Sequence, residues 1–171
     1  MNIAKRVSLC GILIALALAL SFAERWFPLQ LLIPLPGVKL GLANIVTLVA
    51  LYRLRTRYAV CILIPRCILG AVFGGGITGL LFSLCGGCLA LLAMALAKKS
   101  GLFSIYGVSV LGAAAHSIGQ ILAAMALMGS IYVGSYLTWL LLVSVVTGLC
   151  IGTLCAGILR ALRPLKLGGE L

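Results

Sequence analysis

The stretch that decides the fold runs from residue 58 to residue 97 and reads YAVCILIPRCILGAVFGGGITGLLFSLCGGCLALLAMALA. Its only charged side chain is Arg66, and Gly74-Gly75-Gly76 separates its two apolar halves. At a rise of about 1.5 Å per residue, a helix of about 18 or more apolar residues crosses a hydrocarbon core of roughly 30 Å. The pattern therefore predicts two membrane helices joined by a glycine turn, with an arginine inside the first helix.

The composition of the whole chain extends this prediction to all 171 residues. Hydrophobic residues make up 64% of the sequence and charged residues 9%, against about 25% charged residues in a soluble domain. We therefore expect an all-α integral membrane protein that forms a single transmembrane domain, residues 1–171. The net charge of +11 does not indicate nucleic-acid binding, because the basic residues cluster at the ends of apolar segments, as topology signals do.

The sequence divides into six predicted spans, of which the second and third are short. With the amino terminus in the cytoplasm, ten basic residues fall on the cytoplasmic side, and only Arg25 and Lys39 fall outside. Cytoplasmic loops carry an excess of Lys and Arg, so we expect six transmembrane helices with both termini inside. The predicted spans are Val7–Ala23, Leu40–Tyr52, Tyr58–Phe73, Ile77–Ala97, Ser104–Met128 and Ser135–Leu159.

The amino-terminal part of the chain allows more than one interpretation. The first span has the basic start, the apolar stretch and the Ser21-Phe22-Ala23 ending of a signal peptide. Because five more spans follow and signal peptides have shorter apolar cores, we favour an uncleaved span. The next segment, residues 24–39, contains three prolines, which disfavour a continuous helix. It is either a lid over a ligand site or an interfacial re-entrant stretch without a gating role.

The predicted interior almost lacks carboxylates. The chain has no aspartate and two glutamates, Glu24 and Glu170, neither of which lies within a predicted span. Chemistry that depends on carboxylates is therefore nearly excluded from the interior. Arg66 also has no acidic neighbour to pair with. Because an unpaired cation inside a membrane is costly, such a residue marks a functional site. Arginine forks bind carboxylate and phosphate groups. Arg66 therefore holds an anionic ligand or, equally consistent with the sequence, bonds to carbonyls freed by a kink at Pro65.

Several other polar side chains fall at the same predicted depth, between the midplane and the outer face. Asn44 and Thr47 lie one turn apart on the second span, with Lys39 just outside them, and His116 and Gln120 lie one turn apart on the fifth span. Each alone is typical of hydrogen bonding between helices, but together at matched depth they predict a cavity open to the outside. The predicted substrate-binding residues are Lys39, Asn44, Thr47, Arg66, His116 and Gln120.

Small and sulfur-containing residues carry less information. Ala15, Ala19 and Ala23 form a stripe at four-residue spacing, which packs within the chain, as spacing alone favours, or docks a partner subunit. Cys85 and Cys88 have CxxC spacing, but without a second ligand pair no metal site is expected.

The sequence contains no GxxxxGKS or GxxxxGKT phosphate-binding loop, so we expect no nucleotide site and no cofactor in this chain.

The segment Pro36–Thr47, which reads PGVKLGLANIVT, resembles the Gx transporter family, often labelled heptaprenyl diphosphate synthase component I. The resemblance covers most of the chain. Ser117 departs from the family pattern, because an asparagine is expected after the histidine. Weaker matches are LFSL at 81–84, Gly86-Gly87, His116 and Gly119-Gln120.

Through this family, the chain is similar to the substrate-binding S components of energy-coupling-factor transporters. The resemblance implies a six-helix bundle in the bacterial plasma membrane, with its binding site toward the outer face. It also implies that the stripe Ala15, Ala19 and Ala23 docks a transmembrane coupling subunit, which in turn carries two cytoplasmic ATPases. Such an S component is thought to topple in the membrane and carry its ligand inward.

The leading hypothesis is therefore a non-enzymatic subunit that captures a small anionic nutrient or cofactor precursor. An enzyme label does not fit, because prenyl diphosphate synthases resemble one another in aspartate-rich motifs that hold magnesium, and this chain has no aspartate. The alternative is a non-catalytic accessory protein of an isoprenoid, quinone or flavin-linked electron-transfer system. A proton-coupled carrier acting alone is disfavoured, since His116 is the only side chain within a span that titrates near neutral pH.

Overall fold

The computed structural model describes residues 3–24, 39 and 41–162, with side chains described from residue 7 onward. This part of the chain forms six α-helices and contains no strand, which confirms the all-α class. Two short helical turns, Ala71–Gly75 and Ile131–Tyr136, join neighbouring helices. The helices are α1 (Ile3–Ala23), α2 (Asn44–Arg53), α3 (Thr56–Gly70), α4 (Gly76–Ser100), α5 (Ile105–Met128) and α6 (Leu137–Ala161).

Apolar length divides these helices into two groups. Three helical segments of the described chain are long and apolar enough to cross a membrane: Thr56–Ser100, Ile105–Met128 and Ile131–Ala161. The first of them contains both α3 and α4. The helices α1 and α2 contribute shorter apolar segments, Val7–Ala23 and Asn44–Arg53. The protein therefore has the apolar helices expected of a membrane protein.

The three consecutive glycines lie where the chain turns between α3 and α4. Gly74 and Gly76 have φ angles of 106° and 62°, which glycine adopts without a steric penalty. After the turn, α4 packs back against α3, so that Gly87 lies beside Leu63. The chain thus turns at the predicted position, and the turn brings Arg66 of α3 next to α4.

The helices α4, α5 and α6 pack in series through glycines. A methyl group built on Gly119 of α5 would lie 2.5 Å from the carbonyl oxygen of Cys85 and 2.8 Å from Cα of Gly86, both in α4. A methyl group built on Gly148 of α6 would lie 2.6 Å from Cα of Val110 in α5. Only glycine permits backbones this close, which is the reason that small residues are enriched where membrane helices meet.

The helix α2 is enclosed by the rest of the bundle. It contacts each of the other five helices, and all its residues from Asn44 to Leu51 are buried. Its 10 residues span about 15 Å, half of a hydrocarbon core of roughly 30 Å. The prediction that this span begins at Leu40 is wrong, because Gly41 has a φ of 82° and the helix begins only at Asn44. Leu40 itself lies outside the described residues.

The alanine stripe of α1 is not covered by the described part of the chain. Ala15, Ala19 and Ala23 are exposed, whereas Ala17, on another face of the same helix, is fully buried. That other face of α1 packs against α2 and α3. Within the described part of the chain, the internal-packing interpretation that spacing alone favoured finds no support, and docking of a partner on this stripe stays a prediction.

At the carboxyl-terminal end of α2, two cationic side chains donate hydrogen bonds to backbone carbonyls. The Nζ of Lys98 donates a 2.6 Å hydrogen bond to the carbonyl oxygen of Leu51 and lies 4.9 Å from the ring centroid of Tyr52. The Nη2 of Arg53 donates a hydrogen bond to the carbonyl oxygen of Leu162, just after α6. The last carbonyls of a helix have no partner within it, so such cations satisfy otherwise unpaired groups.

Lys98→Ala is expected to lower the free energy of unfolding by about 1 to 2 kcal/mol, because the Leu51 carbonyl loses a charged donor. Lys99→Ala is the matched control, since Lys99 carries the same charge one residue further along and is exposed. Thermal unfolding of both variants in the same detergent measures the difference. Equal stabilities would show that the hydrogen bond to Leu51 contributes nothing.

Candidate functional site

A cleft opens between α1, α3 and α4. It holds about 290 Å³ of empty space including its open mouth, and its enclosed part has room for about one water molecule. The cationic residues Lys39 and Arg66 both belong to its wall. The described residues that line the cleft are Ser21, Phe22, Lys39, Arg66, Cys67, Gly70 and Ser83.

Arg66 is buried at the wall of this cleft, with 7% of its surface exposed. Its Nη2 donates a 3.3 Å hydrogen bond to Oδ1 of Asn44, which is the first residue of α2. Its Nε is buried and has no hydrogen-bond partner among the described residues. The guanidinium therefore contacts a side-chain amide across two helices, and no hydrogen bond to carbonyls around Pro65 is found in the described part.

Lys39 brings a second cation to the same wall. Its Nζ donates a 3.0 Å hydrogen bond to Oγ of Ser83, which lies on α4. Sequence reasoning included Ser83 only as part of a family-like motif and did not place it in the site. The signal that could have found Ser83 is its position three residues before Gly86, on a helix predicted to pack closely.

Gln120 of α5 holds the main chain of Lys39, and His116 bonds to Gln120; neither residue lines the cleft. With its oxygen turned toward the neighbouring donors, the Gln120 amide accepts from the backbone N–H of Lys39 at 3.0 Å and from Nε2 of His116 at 3.2 Å. Its nitrogen donates to the carbonyl oxygen of Lys39 at 3.1 Å. Gln120 is fully buried. The two hydrogen bonds to Lys39 fix the backbone from which the cationic side chain extends.

His116 packs between two glycines. A methyl group built on Gly41 would lie 3.0 Å from Cδ2 of the imidazole, and one built on Gly86 would lie 2.8 Å from its Cε1 and Nδ1. The side chain is 4% exposed. His116 therefore packs between the start of α2 and the middle of α4, and its Nε2 donates a hydrogen bond to Gln120.

Thr47 is the one predicted site residue that the structure leaves apart from the others. It is fully buried on α2, one turn beyond Asn44, and it does not line the cleft. Its Oγ1 has no hydrogen-bond partner in the described part of the chain. The structure thus brings five of the six predicted residues into one connected set, which is Lys39, Asn44, Arg66, His116 and Gln120.

Glu24 is a residue of this region that sequence reasoning did not place in the site. It is 4% exposed and accepts hydrogen bonds from the backbone N–H of Gly41 and, at 3.4 Å, from that of Leu42. No ion pair joins Arg66 to an acidic side chain among the described residues, but Glu24 lies near enough for the charges of the two residues to act on each other. Glu24 and Lys39 are the described ends of the predicted 24–39 connection, and the lid and re-entrant interpretations of residues 25–38 lie outside the described residues.

The Glu24 carboxyl is held in an environment that opposes its charge. Burial raises its pKa, and although two backbone hydrogen bonds and the nearby charges of Lys39 and Arg66 lower it, the net direction is upward. The charges of both Lys39 and Arg66 act on this carboxyl, so the described part of the region carries two cationic side chains beside one acidic side chain. The arrangement is suited to binding an anion.

The described residues offer little for other chemistry. They contain no group of three or more His, Cys, Asp or Glu side chains that could hold a metal ion. Cys85 is half-buried and Cys88 is exposed, and both are free thiols on α4. What the described residues of this site offer is hydrogen-bond donors and positive charge.

Comparison with known proteins assigns the chain to a family. No curated protein and no solved structure matches it. The family model for heptaprenyl diphosphate synthase component I matches residues 13–158, a range that contains the cleft and every residue connected to it. The chain therefore belongs to the heptaprenyl diphosphate synthase component I family, as the motif Pro36–Thr47 predicted.

Proposed function

We propose that this chain is the substrate-binding subunit of a membrane uptake system for a small anionic nutrient or cofactor precursor. The observation that carries the proposal is Arg66, a buried guanidinium at the wall of a cleft, whose Nε has no partner among the described residues. A cation buried in a membrane protein is energetically costly and usually marks a functional site. An arginine side chain in such a place is suited to binding an anion. Lys39 at the same wall adds a second positive charge.

The short helix α2 supports the same function. This helix is about 15 Å long, which is half the thickness of a hydrocarbon core. Its amino-terminal end lies beside Arg66. Half-length helices whose amino termini point at an anionic group near the midplane are a recurring design in transporters. The positive end of the helix dipole then adds to the two side-chain cations.

We propose six spans with both termini in the cytoplasm of a bacterial cell. The hydrogen bonds at the far end of α2 support this topology, because they bring the ends of α2, α4 and α6 to one side of the bundle. Lys98, Lys99 and Arg160 lie at the ends of these helices, which fits the excess of basic residues on the cytoplasmic side. The cleft then opens toward the opposite side.

ATP hydrolysis belongs to partner subunits in this proposal, since the sequence has no phosphate-binding loop for a nucleotide. A transmembrane coupling subunit would dock on the exposed stripe Ala15, Ala19 and Ala23, where small side chains let helix backbones approach closely. Two cytoplasmic ATPases would bind that subunit. The chain itself is then not an enzyme, in keeping with its lack of any aspartate to hold magnesium.

The test is purification from native membranes in a mild detergent, followed by native mass spectrometry. We expect a small anion retained on this chain, and a coupling subunit with ATPases among the co-purifying proteins. Arg160→Ala, which changes a charge far from the cleft along the sequence, is the control and should retain the same molecule. Recovery of the chain without any small molecule and without ATPases would contradict the proposal.

The family description favours a second candidate, a non-catalytic membrane component of a heptaprenyl diphosphate synthase system. In that case the polar residues around Arg66 would serve as hydrogen bonds between helices, a role that such residues often have. The same purification distinguishes the two. A prenyl diphosphate synthase recovered in place of the ATPases would support the accessory role.

A further inference from the structure

Glu24 occupies backbone donors that an anionic ligand could use. Its carboxylate accepts from the N–H groups of Gly41 and Leu42, which precede the first turn of α2. The amino-terminal end of a helix attracts anions, because its N–H groups point outward and its dipole is positive there. The carboxylate of Glu24 thus sits where a free carboxylate or phosphate would be stabilised.

Two side-chain donors beside this position lack an acceptor. Nε of Arg66 and Nδ2 of Asn44 are buried without a hydrogen-bond partner among the described residues, and the two residues are only 7% and 3% exposed. A buried donor without a partner costs about 1 to 3 kcal/mol. Both donors belong to side chains already joined to each other, at the end of α2 that Glu24 contacts. Their unsatisfied state points to an acceptor group that binds here.

We propose that the start of α2, together with Arg66 and Lys39, is an oxoanion subsite in which the Glu24 carboxylate stands in for the ligand. A carboxylate or phosphate oxygen of the ligand would take the N–H groups of Gly41 and Leu42, and Glu24 would move away. The ligand group would also accept from Arg66. This inference rests on the proposed function in one respect, namely that the ligand is an anion, and it adds which atoms bind its charged group.

Displacement of an internal anion lowers the apparent affinity for an external one. The ligand binds only when Glu24 has left the donors, so its apparent dissociation constant is the intrinsic one divided by the fraction of time that the donors are free. A neutral amide in place of the carboxylate still accepts the two backbone hydrogen bonds but competes for them without charge. A purely structural cap would behave differently, since weakening it would not improve anion binding.

The experiment titrates inorganic phosphate into the purified full-length protein in a non-ionic detergent and follows binding calorimetrically. Glu24→Gln is expected to tighten phosphate binding about tenfold, because the competing charge is gone. Glu170→Gln is the matched control, since it removes the chain's other carboxylate side chain and changes the net charge equally. Affinity that is unchanged or weaker in Glu24→Gln for phosphate and for both further probes described below, or binding of all three that is too weak to detect in every protein, would overturn the subsite.

Glu24→Ala gives a second readout that a folding defect cannot imitate. Without an anion, the N–H groups of Gly41 and Leu42 lose their acceptor, so the unfolding temperature should fall. Saturating phosphate should return it toward the wild-type value in this variant more than in Glu170→Ala. An equal phosphate effect in both variants would count against the subsite.

Two further probes identify the source of the anion. Acetate in place of phosphate tests a carboxylate, and phosphatidylglycerol in mixed micelles tests a lipid headgroup. Tighter binding to Glu24→Gln by any of the three probes supports the subsite, and the probe that responds most identifies its ligand class. If the purification test finds no retained anion and no ATPases while Glu24→Gln still tightens binding, the proposed function fails and the subsite stands.

Discussion

Arg66→Ala is expected to abolish ligand retention while the bundle remains folded. Arg66 is buried at the wall of the cleft and holds the start of α2 only through a 3.3 Å hydrogen bond to Asn44, so its removal takes away more binding energy than folding energy. Truncating one partner of a buried charged pair costs about 2 to 5 kcal/mol, which corresponds to a loss of affinity of about 30-fold to several thousand-fold. Native mass spectrometry of the purified variant would measure the loss as a reduced bound fraction.

Two further variants separate charge from geometry in this experiment. Arg66→Lys keeps the positive charge but lacks the planar fork, and we expect an intermediate affinity. Arg57→Ala removes an arginine from the same helix, where Arg57 is exposed and lies 5.4 Å from the ring centroid of Tyr58. Arg57→Ala should retain the ligand as the wild type does. Unchanged retention in Arg66→Ala would remove Arg66 from the site.

Gly119→Ala is expected to destabilise the protein by about 3 kcal/mol, at the upper end of the usual cost of overpacking. The added methyl group would lie 2.5 Å from the carbonyl oxygen of Cys85 and 2.8 Å from Cα of Gly86. Both are backbone atoms, so no side chain can rotate away, and α5 must separate from α4. The separation would also displace Gln120, the next residue, from the main chain of Lys39.

Gly79→Ala is the matched control for this substitution. Gly79 is buried within α4, but a methyl group built on it would lie within 4 Å of no atom outside its own stretch of that helix. Because alanine has a higher helix propensity than glycine, Gly79→Ala should be neutral or stabilise by up to about 1 kcal/mol. Unfolding of the two variants by sodium dodecyl sulfate, followed by circular dichroism, gives the comparison. Equal stabilities would mean that α4 and α5 are further apart than described.

The features that could be predicted from the sequence are those fixed by residues close together along the chain. Gly74-Gly75-Gly76 predicted a turn, because few other residues adopt the φ angles of Gly74 and Gly76. The spacing of His116 and Gln120 on a helix predicted a shared face, and both are buried beside Lys39. Helical periodicity determines which side chains share a face, and so these local predictions needed no knowledge of the packing.

The features that could not be predicted depend on where distant segments meet. Glu24 lies between two predicted spans, and no periodicity indicates that its carboxylate returns to the start of α2. The stripe Ala15, Ala19 and Ala23 was recognised as a small-residue face, but spacing cannot tell whether a helix of the same chain covers it. Gly41, with its φ of 82°, delays the start of the predicted second helix to Asn44, which a run of apolar residues conceals. The one signal in the sequence that set Glu24 apart was the scarcity of acidic residues in the chain.

The enclosure of α2 has a consequence for biogenesis. A helix of 10 residues is too short to enter the bilayer as an independent span, and the polar group of Asn44 at its inner end would then face lipid. Its membrane partners include α3 to α6, all of which the ribosome makes after it. We therefore expect this segment to insert only together with later helices, and the connected set of Lys39, Asn44, Arg66, His116 and Gln120 is complete only once α5 has been made.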